Sequence, residues 1–133
     1  MTATDQALEV ARVAARAAVA KLASDPVAFD VSERLAITDI FLIVAATNER
    51  QVGAVVDAIE EALLKTGTKA VRREGDRENR WVLLDFLDVV VHVQHTEERA
   101  LYSLERLWKD CPRLDLGELE TVPESSEDAV AGE

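Results

Sequence analysis

Residues 81–93 read WVLLDFLDVVVHV, two aliphatic runs separated by the acidic connection DFLD. Alternating side chains and β-branched residues are typical of strands, and a connection of this length joins two strands as a hairpin. The side chains of Val82 and Leu84 point to one face of the first strand, and that of Trp81 points to the other. The sequence therefore predicts antiparallel strands over 81–84 and 89–93.

The rest of the chain alternates between strand and helix patterns. Apolar residues at helical spacing predict a first helix over 5–23, capped by Thr4 or Asp5, and a second helix that begins after Thr47 or Asn48. Further strands are predicted over 27–31, 40–46 and 69–72. We expect one α/β (α+β) domain, with a mixed β-sheet of about five strands flanked by three helices.

The third helix is predicted to begin at Thr96 and to end before Pro112. Its apolar positions share one face, which we expect to pack on the sheet: Ala100, Leu101, Leu104, Leu107 and Trp108. Tyr102 is expected to help hold this helix in place.

The composition excludes several classes of protein. The 133 residues carry a net charge of −11, which argues against broad binding to nucleic acid phosphates and against direct DNA binding. A hydrophobic content of 48% is sufficient for a packed core, and one cysteine allows no internal disulfide framework. Charged residues interrupt the first twenty positions, so neither a signal peptide nor a membrane span is indicated. A soluble, cytoplasmic protein is expected.

The acidic residues are concentrated at the C-terminal end. Six of the 26 lie between Glu118 and Glu133, a stretch without Lys or Arg. Such a composition buries too little apolar area to offset the entropy of ordering the chain. We therefore expect a folded domain over 1–116 and a disordered acidic tail over 117–133, which is either inert or masks a basic partner surface.

Residues for catalysis or metal binding are not grouped in the sequence. The five glycines are too far apart to form a phosphate-binding loop, and His92 and His95 lack the spacing of a helical zinc motif. Asp85 and Asp88 flank the connection between two predicted strands, and a role in forming this turn explains their presence there. Cys111 has no evident histidine partner, so a structural role is assigned to it and to His92. We predict no catalytic residue, no metal and no cofactor.

Basic residues cluster around the segment before Trp81, with acidic residues between them. Because the charges largely cancel, a solvated loop is the favoured interpretation, and at most a local RNA contact is the alternative. The basic residues are Lys69, Arg72, Arg73, Arg77 and Arg80. Trp81 itself either closes the edge of the core or anchors a partner at the margin of the sheet.

Several segments, in this order and spacing, resemble the ribosomal silencing factor family, also called Iojap-like. The resemblance runs from about residue 5 to residue 116. The segments are ITDIF at 37–41, TNERQV at 47–52, EG at 74–75, WVLLD at 81–85 and VVHV at 90–93. They are followed by ER at 98–99, Tyr102, LE at 104–105 and LW at 107–108.

The resemblance implies a nucleotidyltransferase-like fold without that class's catalytic signature. It implies a cytosolic repressor of translation that binds the large ribosomal subunit through its fourteenth protein and prevents the small subunit from joining under starvation. The partner-binding positions implied are Trp81, Val82, Glu74, Asp85 and Asp88. A homodimer off the ribosome, formed by the face that carries Trp81, is a further hypothesis.

Two other functions are left open by the residues alone. Asp85 and Asp88 with a divalent metal would suit a nucleotidyltransferase-like enzyme, and the arginines between 72 and 80 would suit a small RNA-binding module.

Overall fold

The computed structural model describes residues 2–75 and 78–119. The first half contains helix α1 (Asp5–Ala20), strands β1 (Ser24–Asp30) and β2 (Ile40–Ala46), and helix α2 (Glu49–Lys65). The second half contains strands β3 (Arg72–Gly75), β4 (Trp81–Asp85) and β5 (Val89–His95), the short helices α3 (Thr96–Leu101) and α4 (Leu104–Leu107), and strand β6 (Arg113–Leu114). The prediction of one α+β domain with a mixed sheet is confirmed.

The strands form one sheet in the order β3-β4-β5-β2-β1-β6. β2 and β5 pair in parallel over their full lengths, and the remaining neighbours are antiparallel. A parallel pair needs a long crossover, which α2, β3 and β4 provide. β4 and β5 form the predicted hairpin, and all seven residues of β5 are buried.

Helices α1 and α2 cover one face of the sheet, here called the helix face. Thr4 and Asn48 cap these helices by accepting hydrogen bonds from backbone amides in the first turn. α1 contributes alanines to the core, and small side chains allow α1, α2 and the sheet to approach closely. Val82 and Leu84 belong to this core, so Trp81 points to the opposite face as the alternation predicts.

The opposite face, here called the open face, is covered unevenly. A small cluster around Phe29 and Ile43 is closed by Leu104, Trp108 and Cys111. This cluster lies over β1 and β2. On β4, by contrast, the open-face residues Trp81, Leu83 and Asp85 are only half-buried.

The first helix ends at Ala20 and not at residue 23, and β1 is Ser24–Asp30 and not 27–31. Two further predicted elements differ more. The third strand is Arg72–Gly75 and not 69–72, because its pairing register places Arg72 opposite Asp85 and Gly75 opposite Val82. The third helix is interrupted at Tyr102 and Ser103 into α3 and α4. Neither short helix contains a buried residue, so the predicted inward face is wrong for Ala100, Leu101 and Leu107, whereas Leu104 and Trp108 do pack on the sheet.

The C-terminal part adds one element that the sequence did not indicate. β6 extends the sheet beyond β1, and Leu116 and Leu119 pack against the helix-face core. Packed residues thus continue past 116. The predicted tail from 120 onward lies outside the described residues. No helix in the described part of the chain is long and apolar enough to cross a membrane.

The close packing of α1 leads to a stability prediction. Ala14 is fully buried, and the larger side chain of Ala14→Leu should lower the free energy of unfolding by about 1–3 kcal/mol through overpacking. Ala54→Leu at an exposed position of α2 is the matched control and should change it by less than about 0.5 kcal/mol. Urea unfolding followed by circular dichroism measures both, and an Ala14→Leu protein as stable as the wild type would contradict this packing.

Candidate protein-binding surface

Five aromatic rings form a continuous row across the open face. Phe41 on β2 lies edge-on to Trp108 and to His92, with 5.1 Å between ring centroids in each pair. Trp81 on β4 then contacts His92 at 6.1 Å and Tyr102 at 5.6 Å. The row runs from the closed cluster over β1 and β2 to the half-buried surface of β4, so Trp81 is held by packed neighbours while part of its indole is exposed.

His92 fixes the orientation of Trp81. The indole Nε1–H of Trp81 donates a hydrogen bond of 3.2 Å to Nδ1 of His92. Nδ1 accepts, so the proton of the neutral imidazole is on Nε2. Burial lowers the pKa of His92 to about 4, which keeps the ring neutral at physiological pH. This histidine has the structural role that the sequence suggested, and it also positions the candidate anchor.

A close approach of β3 to β4 supports the start of the Trp81 strand. A Cβ atom at Gly75 would lie 2.9 Å from the carbonyl oxygen of Trp81 and 3.0 Å from Cα of Val82. Glycine is thus required for the two strands to pair this closely. On the other side, the amide of His95 donates to the carbonyl of Arg80 at 2.8 Å and holds the residue before Trp81 against β5.

The three predicted acidic positions have different environments. Glu74 is exposed and lies 3.2 Å from Arg72. Asp85 also binds Arg72, at 3.0 Å, and accepts a hydrogen bond from the amide of Leu87 in the turn. Asp88 is exposed at the end of the hairpin. Glu74 and Asp85 share the open face with Trp81, because Glu74 pairs with Leu83 and Asp85 lies four residues after Trp81.

Val82 is placed differently from the other predicted residues. Its side chain is 2% exposed and belongs to the core on the helix face. It therefore supports the strand beneath the surface and presents no side chain to a partner.

Beside Trp81 lies an acidic cluster that the sequence pattern did not reveal. Arg80 contacts Glu49 at 3.2 Å, Glu97 at 2.9 Å and Glu98 at 3.3 Å. The hydrogen bond from Arg80 lowers the pKa of Glu97, so this carboxylate is ionised. Three carboxylates against one guanidinium leave an excess of negative charge near Trp81. The glutamates come from α2 and α3, which only the fold brings together.

Those basic residues of the cluster that the structure describes do not form a free cationic surface. Arg73 binds Asp57 and Glu60 on α2, while Arg72 binds Glu74 and Asp85. Arg77 lies outside the described residues, and Lys69 is exposed. Because opposite charges surround these arginines, the interpretation as a solvated, charge-balanced loop is favoured over RNA binding.

A metal centre is not evident in the described ranges. No group of three His, Cys, Asp or Glu side chains within them is arranged to hold a metal ion. Asp85 is engaged by Arg72 and by the turn, and the thiol of Cys111 is buried in the small cluster over β1 and β2. The site therefore presents an aromatic anchor with acidic surroundings, the features of a protein-binding surface.

Comparisons with known proteins agree with this class. A family model described as "Ribosomal silencing factor during starvation" matches residues 4–132. "Ribosomal silencing factor RsfS" of Bacillus subtilis is 40% identical over 107 residues, which cover 80% of this chain and 91% of that protein. "Mitochondrial assembly of ribosomal large subunit protein 1" of Mus musculus is 29% identical over 89 residues, covering 65% of this chain and 39% of the mouse protein.

Solved structures also match. A crystal structure from Chromobacterium violaceum has a TM-score of 0.73 at 30% identity and covers 76% of this chain and 84% of that one. A second crystal structure, from Bacillus halodurans, has a TM-score of 0.70 at 37% identity, with coverages of 80% and 97%.

The fold and surface define a small α+β binding domain. The chain belongs to the ribosomal silencing factor family, which includes the Iojap proteins, as the motif resemblance indicated. Proteins of this family silence ribosomes and are not enzymes, so the interpretation of Asp85 and Asp88 as catalytic residues is set aside.

Burial of His92 predicts a pH effect on stability. The unfolded chain binds a proton near pH 6.5, whereas the folded protein resists protonation of His92 until about pH 4. Well above pH 6.5 His92 is neutral in both states, and its burial does not change the pH dependence of stability. As the pH falls toward 4, protonation of His92 in the unfolded chain alone lowers the free energy of unfolding. Through this residue the free energy of unfolding should fall by about 1.5 kcal/mol between pH 6.5 and 5.

His92→Gln should remove most of this dependence, because the amide does not titrate and its oxygen can still accept from Trp81. Urea unfolding at several pH values tests this expectation. Parallel pH profiles for wild type and variant would show that His92 is protonated in the folded state as readily as in the unfolded chain.

Proposed function

We propose that this protein binds the large ribosomal subunit through the surface around Trp81, and that the fourteenth protein of that subunit is the direct contact. Occupying this site would block joining of the small subunit and lower translation under starvation. The family description names silencing during starvation, and the name of the mouse relative refers to the large subunit. Ribosome binding would place the protein in the cytoplasm.

The observation that carries this proposal is the half-exposed, immobilised indole of Trp81. Its Nε1–H is bound by His92, so little side-chain freedom is left to lose on binding. A large aromatic group held in one orientation is the usual centre of a protein–protein interface.

The charge around Trp81 suits a basic partner. Glu49 lies 3.2 Å from Arg80 beside Trp81, and Glu74 on β3 and Asp88 at the other end of β4 add exposed carboxylates. Ribosomal proteins are generally basic, so such a surface would accelerate encounter and favour one orientation. The net charge of −11 would oppose adsorption to ribosomal RNA elsewhere.

Replacement of the anchor tests the proposal most directly. Trp81→Ala should weaken binding to isolated large subunits by about 30-fold or more, because truncating a central aromatic contact commonly costs at least about 2 kcal/mol. Co-sedimentation with separated subunits measures binding. Addition of the complementary subunit then shows whether the wild type lowers the 70S fraction and the variant does not.

Leu64→Ala is the control, since Leu64 is 60% exposed on α2 and lies away from the open face. It should bind like the wild type. Equal binding by Trp81→Ala would exclude this surface, and association of the wild type with neither subunit would exclude the proposed target. Light scattering of both proteins alone tests whether a homodimer uses the same face, in which case Trp81→Ala shifts the mass to a monomer.

A pair of charge reversals tests the electrostatic part. Asp88→Lys should reduce large-subunit affinity several-fold at low salt, with a smaller loss at high salt, because the screened attraction contributes mainly to encounter. Glu61→Lys makes the same change in net charge on the exposed side of α2 and should have little effect. Similar losses for both variants would mean that total charge, and not the position of Asp88, determines binding.

A further inference from the structure

The segment of residues 96–107, which contains α3 and α4, is only loosely attached to the sheet. Neither helix contains a buried residue. Its apolar side chains Leu101, Tyr102 and Leu107 are 73%, 55% and 66% exposed. The helical pattern breaks between the two helices, where Ser103 makes no side-chain capping hydrogen bond. His95 caps α3 by accepting from the amide of Glu97, but short, solvent-facing helices gain little stability from packing.

Polar groups without partners lie on the sheet beneath this segment. Gln94 is fully buried, and within the described ranges neither its side-chain oxygen nor its nitrogen has a hydrogen-bond partner. Nε2 of His92 is likewise buried and unpartnered there. Both residues are on the open face, since Gln94 pairs with Trp81 and His92 pairs with Leu83. Gln94 also pairs with Ala45 of β2, and Ala45 lines one surface cavity together with Thr96, Arg99 and Ser103 of the segment. Burying unpaired polar groups is unfavourable, so the covered arrangement is penalised.

The contacts that hold the segment are mostly polar. Arg99 donates to Glu105 at 2.8 Å and to the carbonyl of Ser24 at 3.3 Å. The second carboxylate oxygen of Glu105 is buried and has no partner in the described part of the chain. At the C-terminal end, Leu104 and Trp108 pack in the small cluster over β1 and β2. Displacement about this packed end would break the Arg99 contacts, the ion pairs of Arg80 with Glu97 and Glu98 and the ring contact of Tyr102 with Trp81, and it would hydrate Gln94.

We propose that residues 96–107 are a displaceable cover of the open face, and that the ribosomal partner binds the form in which the cover has moved away. The displaced form would present the amide of Gln94 and Nε2 of His92 beside Trp81, where a polypeptide can donate to and accept from them. Binding of the displaced form by the ribosomal partner rests on the proposed function, whereas displacement of the cover concerns the free protein alone.

Hydrogen exchange of the free protein tests the displacement. The amides of Tyr102 and Leu107, which are bonded only within the segment, should exchange much faster than the amides of β5. Gln94→Met keeps a similar volume and removes the unpaired amide, so it should favour the covered form and slow exchange in the segment about tenfold. Leu101→Ala, at an exposed position of the same segment, is the control and should leave these rates unchanged.

Arg99→Ala provides a change in the opposite direction. Loss of its contacts to Glu105 and Ser24 should speed exchange in the segment while the amides of β5 keep their rates. If the segment exchanges as slowly as β5 in the wild type, it opens only when the protein unfolds, and the proposal is overturned. Unchanged segment exchange in both Gln94→Met and Arg99→Ala would overturn it as well.

Binding to large subunits tests whether the ribosomal partner binds the displaced form. If the partner selects the displaced form, affinity follows the population of that form. Arg99→Ala should then bind more tightly although its fold is weakened, and Gln94→Met should bind more weakly. Unchanged affinity in both variants, with the exchange rates shifted as expected, would mean that the partner binds the covered form. Failure of wild-type binding would instead reject the proposed target and leave the exchange result valid.

Discussion

The parallel pairing of β2 with β5 is the constraint on which the other features depend. Seven consecutive residue pairs join these strands at the centre of the sheet, and nearly all of their side chains are buried. A parallel connection cannot be made by a turn, so the intervening chain must cross over one face. This crossover places α2 beside α1 on the helix face. The rest of the chain that the structure describes supplies two short helices for the other face.

The uneven covering of the two faces creates the candidate binding surface. Both faces of the central strands are buried, so these strands place large ring side chains on the open face. Phe41 of β2 and His92 of β5 lie there in contact with each other, and His92 also contacts Trp81. The aromatic row that results is continuous with the small cluster and therefore rigid at one end. At the other end it reaches half-exposed residues of β4. A protein can thus present a fixed indole without a deep pocket.

Unpaired polar groups on this face show a local conflict between stability and binding. The helix face is apolar and closely packed, whereas Gln94 and His92 are buried under a segment that offers them no bond within the described residues. Exceptions to polar pairing in a well-packed domain are few and tend to occur where the chain has a function. Their position next to Trp81 is consistent with a surface adapted for a partner.

Local patterns in the sequence determined most of the fold and the candidate anchor. Periodicity and capping residues defined α1, α2 and the central strands, because these depend on neighbours within one turn or one strand. Alternation in β4 placed Trp81 opposite Val82, and the family motifs pointed to the ribosome. Tertiary structure alone decided the sheet order, the displaced β3, the added β6 and the break after α3, since each depends on pairing or burial between distant segments. It also decided that Val82 is buried and that Arg80 gathers glutamates from α2 and α3, because a single sequence does not reveal which distant charges meet.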